Sequence, residues 1–171
     1  MRLPLFFLLS CVMPPHVPPS CEDIPVWISD EFTVGERDSI RAALADWNVA
    51  AGEYVFFHLA SEASPKSLFF MKAHSDPIDG VSDNYLGWID RINGRNVHLR
   101  ADMIAGRGYN LSVITEHEIG HALGLADDKR TTKTLMAEYA MDSSNCIDHR
   151  TLRILAYTRG WEQSKLIQVC P

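Results

Sequence analysis

Two histidines, a glutamate and an aspartate lie close together in this chain with the spacing of a metal site. His117 and His121 are four residues apart, so on a helix both imidazoles face one side and can reach a single cation. Glu118 follows the first histidine, and its carboxylate can act as a general base on a metal-bound water. Gly124 can take a positive φ, which lets the chain fold back and present Asp127 as a third ligand. Two imidazoles, one carboxylate and an open fourth position predict a catalytic zinc site.

This stretch resembles the signature of the metzincins. The run H-E-I-G-H-A-L-G-L-A-D resembles H-E-x-x-H-x-x-G-x-x-H/D, with Asp127 where the usual third histidine stands, as in the snapalysin-like metzincins. Asp128 is adjacent and competes for that role. T-L-M at 134–136 resembles the Met-turn of matrixins, which implies that Met136 forms an apolar floor under the imidazoles. Tyr139 stands one residue off the position of a tyrosine that some metzincins place beside the oxyanion, so it is a candidate stabiliser or pocket-wall residue.

A bare HExxH also arises by chance on amphipathic helices. The glycine, the aspartate and the downstream methionine argue against chance here. The resemblance implies an α+β, metzincin-like zincin fold, with a twisted mixed sheet of about five strands, an active-site helix, a first amphipathic helix and a C-terminal helix.

The resemblance also implies a zinc-dependent endopeptidase that hydrolyses peptide bonds in extended polypeptides, with Glu118 assisting the attack of a zinc-bound water. Two alternatives remain: a non-catalytic metal-binding or peptide-binding module of the same fold, and a metal-dependent endoribonuclease. The ribonucleases with a related histidine helix lack a glutamate beside the first ligand and need a basic surface. The net charge of -6 and the absence of any basic run argue against a nucleic-acid partner.

The length of 171 residues and the 46% hydrophobic content suit one domain with a single core. We expect a signal peptide at 1–10, a proline-rich linker at 11–23 and a metallopeptidase catalytic domain at 24–171, acting as a monomer. The apolar run near the start is too short to span a bilayer as a helix, which is typical of a targeting signal.

Residues 8–11, L-L-S-C, resemble a bacterial lipobox, in which Cys11 becomes the lipidated first residue of the mature protein. An ordinary secretion signal is the rival interpretation. Under either interpretation we expect an exported protein, as a membrane-anchored lipoprotein or in secreted or periplasmic form.

The four cysteines suit an oxidising compartment. If Cys11 carries lipid, Cys21, Cys146 and Cys170 remain, which predicts one disulfide and one free thiol. We favour a bridge through Cys170, because it would tie down a C-terminal tail that has little else to hold it.

Apolar periodicity and end signals predict the elements around the site. Thr33 and Glu36 have capping-box spacing, and Asp148 is a candidate N-cap for the last helix. The expected order is a strand at 24–28, a helix from 33 to 52, strands at 54–59 and 67–73, a Gly-rich loop at 105–109, the active-site helix from near Asn110 or Ser112, and the C-terminal helix up to Gly160.

A β-hairpin is expected between the early strands and the active-site helix. Its strands are 84–89 and 96–99, and Asn93-Gly94 forms the turn. The resemblance implies that the first strand is the exposed sheet edge above the metal, which binds an extended peptide in antiparallel fashion. A plain edge hairpin without a ligand is the alternative. The candidate substrate-binding residues are Tyr85, Leu86, Gly87 and Trp88.

The loop before this hairpin offers weaker metal signals. His74, Asp76 and His98 resemble three of the four ligands of a structural zinc in matrixins, so a second Zn²⁺ is a candidate. Asp76, Asp79 and Asp83 predict either a loose Ca²⁺ site or an ordinary solvated acidic loop.

Overall fold

In a computed structural model, the described residues are 21–74, 85–90, 94–131, 133–138 and 146–170. They form a mixed α/β fold with a five-stranded mixed sheet and four α-helices. Within these ranges no helix is both long enough and apolar enough to cross a membrane. The predicted signal peptide and most of the predicted linker lie outside the described residues, as do Cys11, Asp76, Asp79, Asp83, Asn93 and Tyr139.

The sheet has the strand order β2-β1-β3-β5-β4. Its strands are β1 (Glu22–Ile28), β2 (Val55–Leu59), β3 (Leu68–Lys72), β4 (Gly87–Ile89) and β5 (Asn96–Leu99). Neighbouring strands are parallel except for β4, which runs antiparallel to β5 at one edge. The helices are α1 (Val34–Ala51), α2 (Ala101–Gly106), α3 (Leu111–Ala122) and α4 (His149–Arg159), and a 3₁₀ turn follows at Gln163–Lys165.

One face of the sheet packs against α1 and α3. Side chains alternate between the faces of a strand, and Val26, Phe70 and Val97 all point inward and are fully buried. Trp47 of α1 is buried against α3, where its indole Nε1 donates to the backbone oxygen of Glu116 at 3.0 Å. The central helix α3 therefore has a fixed position between α1 and the sheet.

The start of the chain's first helix agrees with the prediction. The Thr33 backbone N–H donates to the Glu36 carboxylate at 2.6 Å, and the Glu36 N–H donates back to the Thr33 hydroxyl at 3.3 Å. This capping box satisfies two backbone donors that a helix start leaves without partners. The helix then ends before Gly52, as expected.

Two boundaries differ from the sequence prediction. Strand β1 begins at Glu22, inside the predicted linker, because the Glu22 N–H donates to the Tyr54 oxygen at 2.8 Å and extends the pairing with β2. The expected loop at 105–109 begins only after Gly106, because α2 forms a short helix that buries Ala101 and Ile104. Both differences depend on contacts with residues distant in sequence, which local sequence patterns do not contain.

The C-terminal part is held by a cap and a disulfide. Asp148 caps α4, and Gly160 ends it with a φ of 68°, as predicted. Cys146 and Cys170 form a disulfide, which confirms the expected use of Cys170. No cysteine among the described residues is a free thiol, so the spare thiol that was predicted for a lipidated Cys11 is not found there.

Candidate metal centre

Helix α3 holds both predicted histidine ligands on one face. Its first turn is capped by Asn110, whose side chain accepts from the Ser112 N–H at 2.9 Å. The spacing of His117 and His121 brings their rings together edge to face, with centroids 4.7 Å apart. Because α3 is packed against both α1 and the sheet, this face is held in a fixed direction.

Each imidazole is oriented by a backbone carbonyl. The Nδ1 atom of His117 lies 2.8 Å from the oxygen of Leu135, and the Nδ1 atom of His121 lies 2.8 Å from the oxygen of Leu125. A carbonyl only accepts, so each Nδ1 carries a proton, and in the neutral imidazole Nε2 is the atom with the free lone pair. This is the arrangement that metal-ligating histidines need.

The carboxylate of Asp127 lies close to the Nε2 atoms of both histidines. Its Oδ1 lies 3.3 Å from Nε2 of His117 and 3.3 Å from Nε2 of His121. The chain reaches this position because Gly124 has a φ of 93°, as predicted, which turns the backbone after α3. Without a metal, each Nε2 that carries a proton donates to this carboxylate, and these hydrogen bonds from His117 and His121 hold the pKa of Asp127 well below its usual range.

The three side chains form a compact set of donors. Their ligand atoms lie within 4.8 Å of one another, and among the described residues this is the group of at least three such side chains that could hold a metal ion. Burial lowers the pKa of His121, but the hydrogen bond to Asp127 and the charge of Glu118 outweigh this, so its pKa is raised overall. Two imidazoles and one carboxylate suit Zn²⁺.

Glu118 lies beside this set, not within it. It is only 4% exposed, and its Oε2 atom has no hydrogen-bond partner among the described residues. Burial raises the pKa of Glu118, and the charges of His117 and His121 partly oppose that rise while Asp127 adds to it. Buried polar atoms are almost always hydrogen-bonded, and one without a protein partner is commonly satisfied by a bound ligand or water.

A glycine of the edge strand makes room for this glutamate. A Cβ atom added to Gly87 would lie 2.8 Å from Oε1 of Glu118 and 3.0 Å from its Cγ. Real Cβ contacts are not that short, so any side chain there would displace the carboxylate. The backbone of β4 therefore packs directly against Glu118.

A second glycine admits the methionine of the predicted Met-turn. Met136 is 1% exposed, and a Cβ atom on Gly120 of α3 would collide with its Sδ atom. The turn that contains Met136 thus lies against the helix between the two histidines. The preceding residue, Leu135, supplies the carbonyl that orients His117.

Asp128 points away from the histidines. Its Oδ2 accepts from Nε of Arg150 at 2.5 Å, and its Oδ1 accepts from the backbone N–H and Nε of Arg130 at 3.1 and 3.2 Å. The hydrogen bond from Arg150 is the main reason that the pKa of Asp128 falls to about 2. The structure therefore brings Asp127 to the candidate metal site and engages its neighbour elsewhere.

Strand β4 lies at the sheet edge, where the sequence placed it. The Leu86 oxygen accepts from the Arg100 N–H at 2.9 Å, and the Asp90 N–H donates to Asn96 at 3.0 Å. Hydrogen bonding alternates along an antiparallel pair, so Gly87 and Ile89 direct their backbone groups away from β5. Of the four predicted edge residues, Gly87 and Trp88 are in β4, and Tyr85 and Leu86 lead into it.

The remaining candidate ligands do not join a metal group within the described part of the chain. His98 lies in β5, where its Nε2 is 3.0 Å from the carboxylate of Asp90 and its ring stacks on Trp88 at 4.8 Å. His74 follows β3 and is exposed. The other proposed ligands of a second zinc or a calcium lie outside the described residues.

Sequence patterns missed the parts that orient the site. The carbonyls of Leu125 and Leu135 have no residue-specific signal, because every residue has a carbonyl. The sequence shows glycines at 87 and 120, but only their packing against Glu118 and Met136 shows why a side chain would not fit there. These two glycines were the only sequence signal for the parts that orient the site.

No protein-family model and no curated protein matches this chain. Among solved structures, it is similar to high choriolytic enzyme 1, a hatching enzyme zinc-protease from the medaka fish Oryzias latipes, at 23% sequence identity and a TM-score of 0.40. The similarity covers 61% of this chain and 44% of the fish enzyme, so the chain spans less than half of that enzyme's length.

Such a limited similarity identifies no residue, so the chemistry of the site has to be inferred from its own side chains. The mixed α/β architecture, with its five-stranded mixed sheet, is compatible with a zincin-like fold. The His, His and Asp cluster is compatible with bound zinc.

Proposed function

We propose that this chain is a zinc-dependent endopeptidase of the metzincin type that hydrolyses peptide bonds in extended polypeptides. The observation that supports this most is the convergence of His117, His121 and Asp127 beside a buried glutamate. A structural zinc site would use four protein ligands, whereas three protein ligands leave a position for water or substrate.

The chemistry of the donor set fits zinc. Both Nε2 atoms are left free by carbonyls that hold Nδ1, and the carboxylate of Asp127 supplies a negative oxygen donor. When bound, zinc supplies Lewis-acid polarisation of a water molecule and of the substrate carbonyl. Met136 gives the site an apolar floor without acting as a ligand.

Glu118 is the proposed general base. Its unpartnered Oε2 is available to accept a proton from a water molecule that attacks the peptide carbonyl. The same carboxyl group can then pass that proton to the leaving amine. A carboxyl whose pKa is raised by burial is better matched to both steps than a solvated one.

The proposed substrate lies along the free edge of β4. Gly87 and Ile89 occupy the non-hydrogen-bonded positions of the β4–β5 pair, so their backbone N–H and C=O groups point outward. An extended peptide can pair with such an edge, which gives affinity from the main chain and little sequence preference. Because Gly87 also packs against Glu118, a peptide paired here passes close to the proposed base.

The test uses purified protein, unfolded casein as the substrate and phenanthroline as a chelator. We expect casein cleavage that phenanthroline stops. Glu118→Ala should abolish cleavage while the protein still binds one zinc per chain, as measured by atomic absorption. Glu62→Ala is the matched control, because Glu62 is an exposed carboxylate in a loop and should leave cleavage unchanged.

Persistent casein cleavage by Glu118→Ala would exclude the proposed role of that residue. Zinc binding by the unaltered protein without any cleavage would favour the non-catalytic binding module. Ribonuclease activity without proteolysis would favour the endoribonuclease.

A further inference from the structure

The segment after Gly124 places two neighbouring carboxylates in different surroundings. Although Asp127 and Asp128 are adjacent in sequence, their side chains face different groups. Asp127 faces the two histidines, and its side chain is 37% exposed. The side chain of Asp128 is 3% exposed and faces the N-terminal end of α4.

Asp128 is fixed through its backbone as well as its side chain. Its N–H donates to the Met136 oxygen at 2.6 Å, and Asp128 forms a parallel bridge with Ala137. The side chain is held from two directions, by Arg130 on Oδ1 and by Arg150 on Oδ2. The two arginines differ in position: the Arg130 side chain is 77% exposed and that of Arg150 is 32% exposed.

Helix α4 also reaches the histidine side of the site. Its N-cap, Asp148, accepts from the Leu135 N–H at 2.8 Å, and the Leu135 carbonyl in turn accepts from His117. The first two helical residues of α4 are His149 and Arg150. One helix end therefore contacts the backbone that orients one ligand and the side chain adjacent to another.

We propose that Arg150 is a positioning residue for the metal site, which acts by holding Asp128 so that Asp127 presents its carboxylate to His117 and His121. This inference rests on the proposed metal site. Without Arg150, Oδ2 of the buried Asp128 carboxylate loses its donor, while Oδ1 keeps those of Arg130, and the carboxylate shifts towards another donor. Because the two aspartates share a peptide bond, a backbone shift of Asp128 that follows its carboxylate also moves Asp127 away from the histidines.

The first experiment measures zinc binding itself. Zinc affinity is determined for the full chain by competition with a chromophoric chelator, and Co²⁺ absorption reports the geometry of the bound metal. Arg150→Gln should bind zinc roughly ten- to a hundredfold more weakly, the usual effect of losing a residue that orients a ligand. Arg130→Gln is the matched control: it removes the exposed arginine from the same carboxylate and should change the affinity less than threefold.

The second experiment separates positioning from stability. The free energy of unfolding of the metal-free variants is measured in urea, and zinc affinity is measured beside it. A purely structural role would lower the free energy of unfolding and leave the zinc affinity unchanged. Arg150→Lys should restore part of the affinity, since it can still donate to Asp128. In the Asp128→Asn background, Arg150→Gln should cause little further loss, because both act through one pair.

Zinc affinity of Arg150→Gln within twofold of the unaltered protein would overturn the proposal, and so would an equal loss in Arg130→Gln. If Arg150→Gln does not fold, Arg150→Lys and Asp128→Asn decide: unchanged zinc affinity in both overturns it, and weakened affinity in both supports it. Failure of the proposed function looks different. Unaltered protein that binds zinc without cleaving casein would exclude the peptidase and leave the role of Arg150 standing.

Discussion

The two sides of the histidine pair are built differently. On the side of α4, both oxygens of Asp128 and both oxygens of Asp148 accept hydrogen bonds from named donors. On the side of β4, the buried Glu118 has an oxygen without a partner among the described residues and only a glycine opposite it. The two carboxylates on the α4 side are fully hydrogen-bonded, and the carboxylate on the β4 side is not.

This difference separates the groups that position the metal ligands from the group proposed to take part in catalysis. A buried polar group left without a partner costs roughly 1–3 kcal/mol, so such a group persists where a ligand or water completes it. The carboxylates of Asp128 and Asp148 have no such deficit, because both fix the ligand-bearing segments. We therefore expect changes beside β4 to affect catalysis and changes beside α4 to affect metal binding and stability.

Gly87→Ala should produce the largest effect and should act on catalysis alone. The added methyl group would push the carboxylate of Glu118 from its position, and a displacement of about 1 Å can lower the rate about a hundredfold. The measurement is kcat on casein-derived peptides, with zinc content checked in parallel. Gly35→Ala is the control, because nothing lies within 4 Å of a Cβ added there. Unchanged kcat in Gly87→Ala would mean that β4 does not constrain the base.

Asp148→Ala should act mainly on stability. It removes the cap of α4 and leaves the Leu135 N–H without its acceptor, for a loss of about 2 kcal/mol in the free energy of unfolding. Urea unfolding of the metal-free protein measures this. Asp30→Ala, at an exposed ion pair with Arg37, should change it by less than about 0.5 kcal/mol. A large loss of kcat without a loss of stability in Asp148→Ala would contradict the assignment of the α4 side to stability.

The last prediction is a pH dependence of stability that Asp128 contributes. Its pKa is lowered to about 2 in the folded protein, against about 3.9 when unfolded. A lowered pKa means that this contribution is complete above about pH 4 and disappears as the pH falls towards 2. The difference in unfolding free energy between metal-free native protein and Asp128→Asn should therefore shrink from pH 6 to pH 2. A constant difference would show that the ion pair is not its source.

Much of the fold was predictable where the signal is local. The capping box at Thr33 and Glu36, the cap of α4 at Asp148 and its end at Gly160 each depend on residues within one or two helical turns. The strand positions followed from short apolar runs between polar turns, with errors of at most three residues at their ends. The early start of β1 was missed because its cause is a hydrogen bond to Tyr54, far along the chain.

The site itself divides along the same line. The sequence by itself determined that His117, Glu118 and His121 share a helix and that Gly124 turns the chain towards Asp127, because helix periodicity and the freedom of glycine are local properties. It left the choice between Asp127 and Asp128 open. Tertiary structure decided which carboxylate faces the histidines, since that depends on an arginine 22 residues away in sequence. It also decided which carbonyls orient the rings and which backbone passes Glu118, because such contacts form only when distant segments pack together.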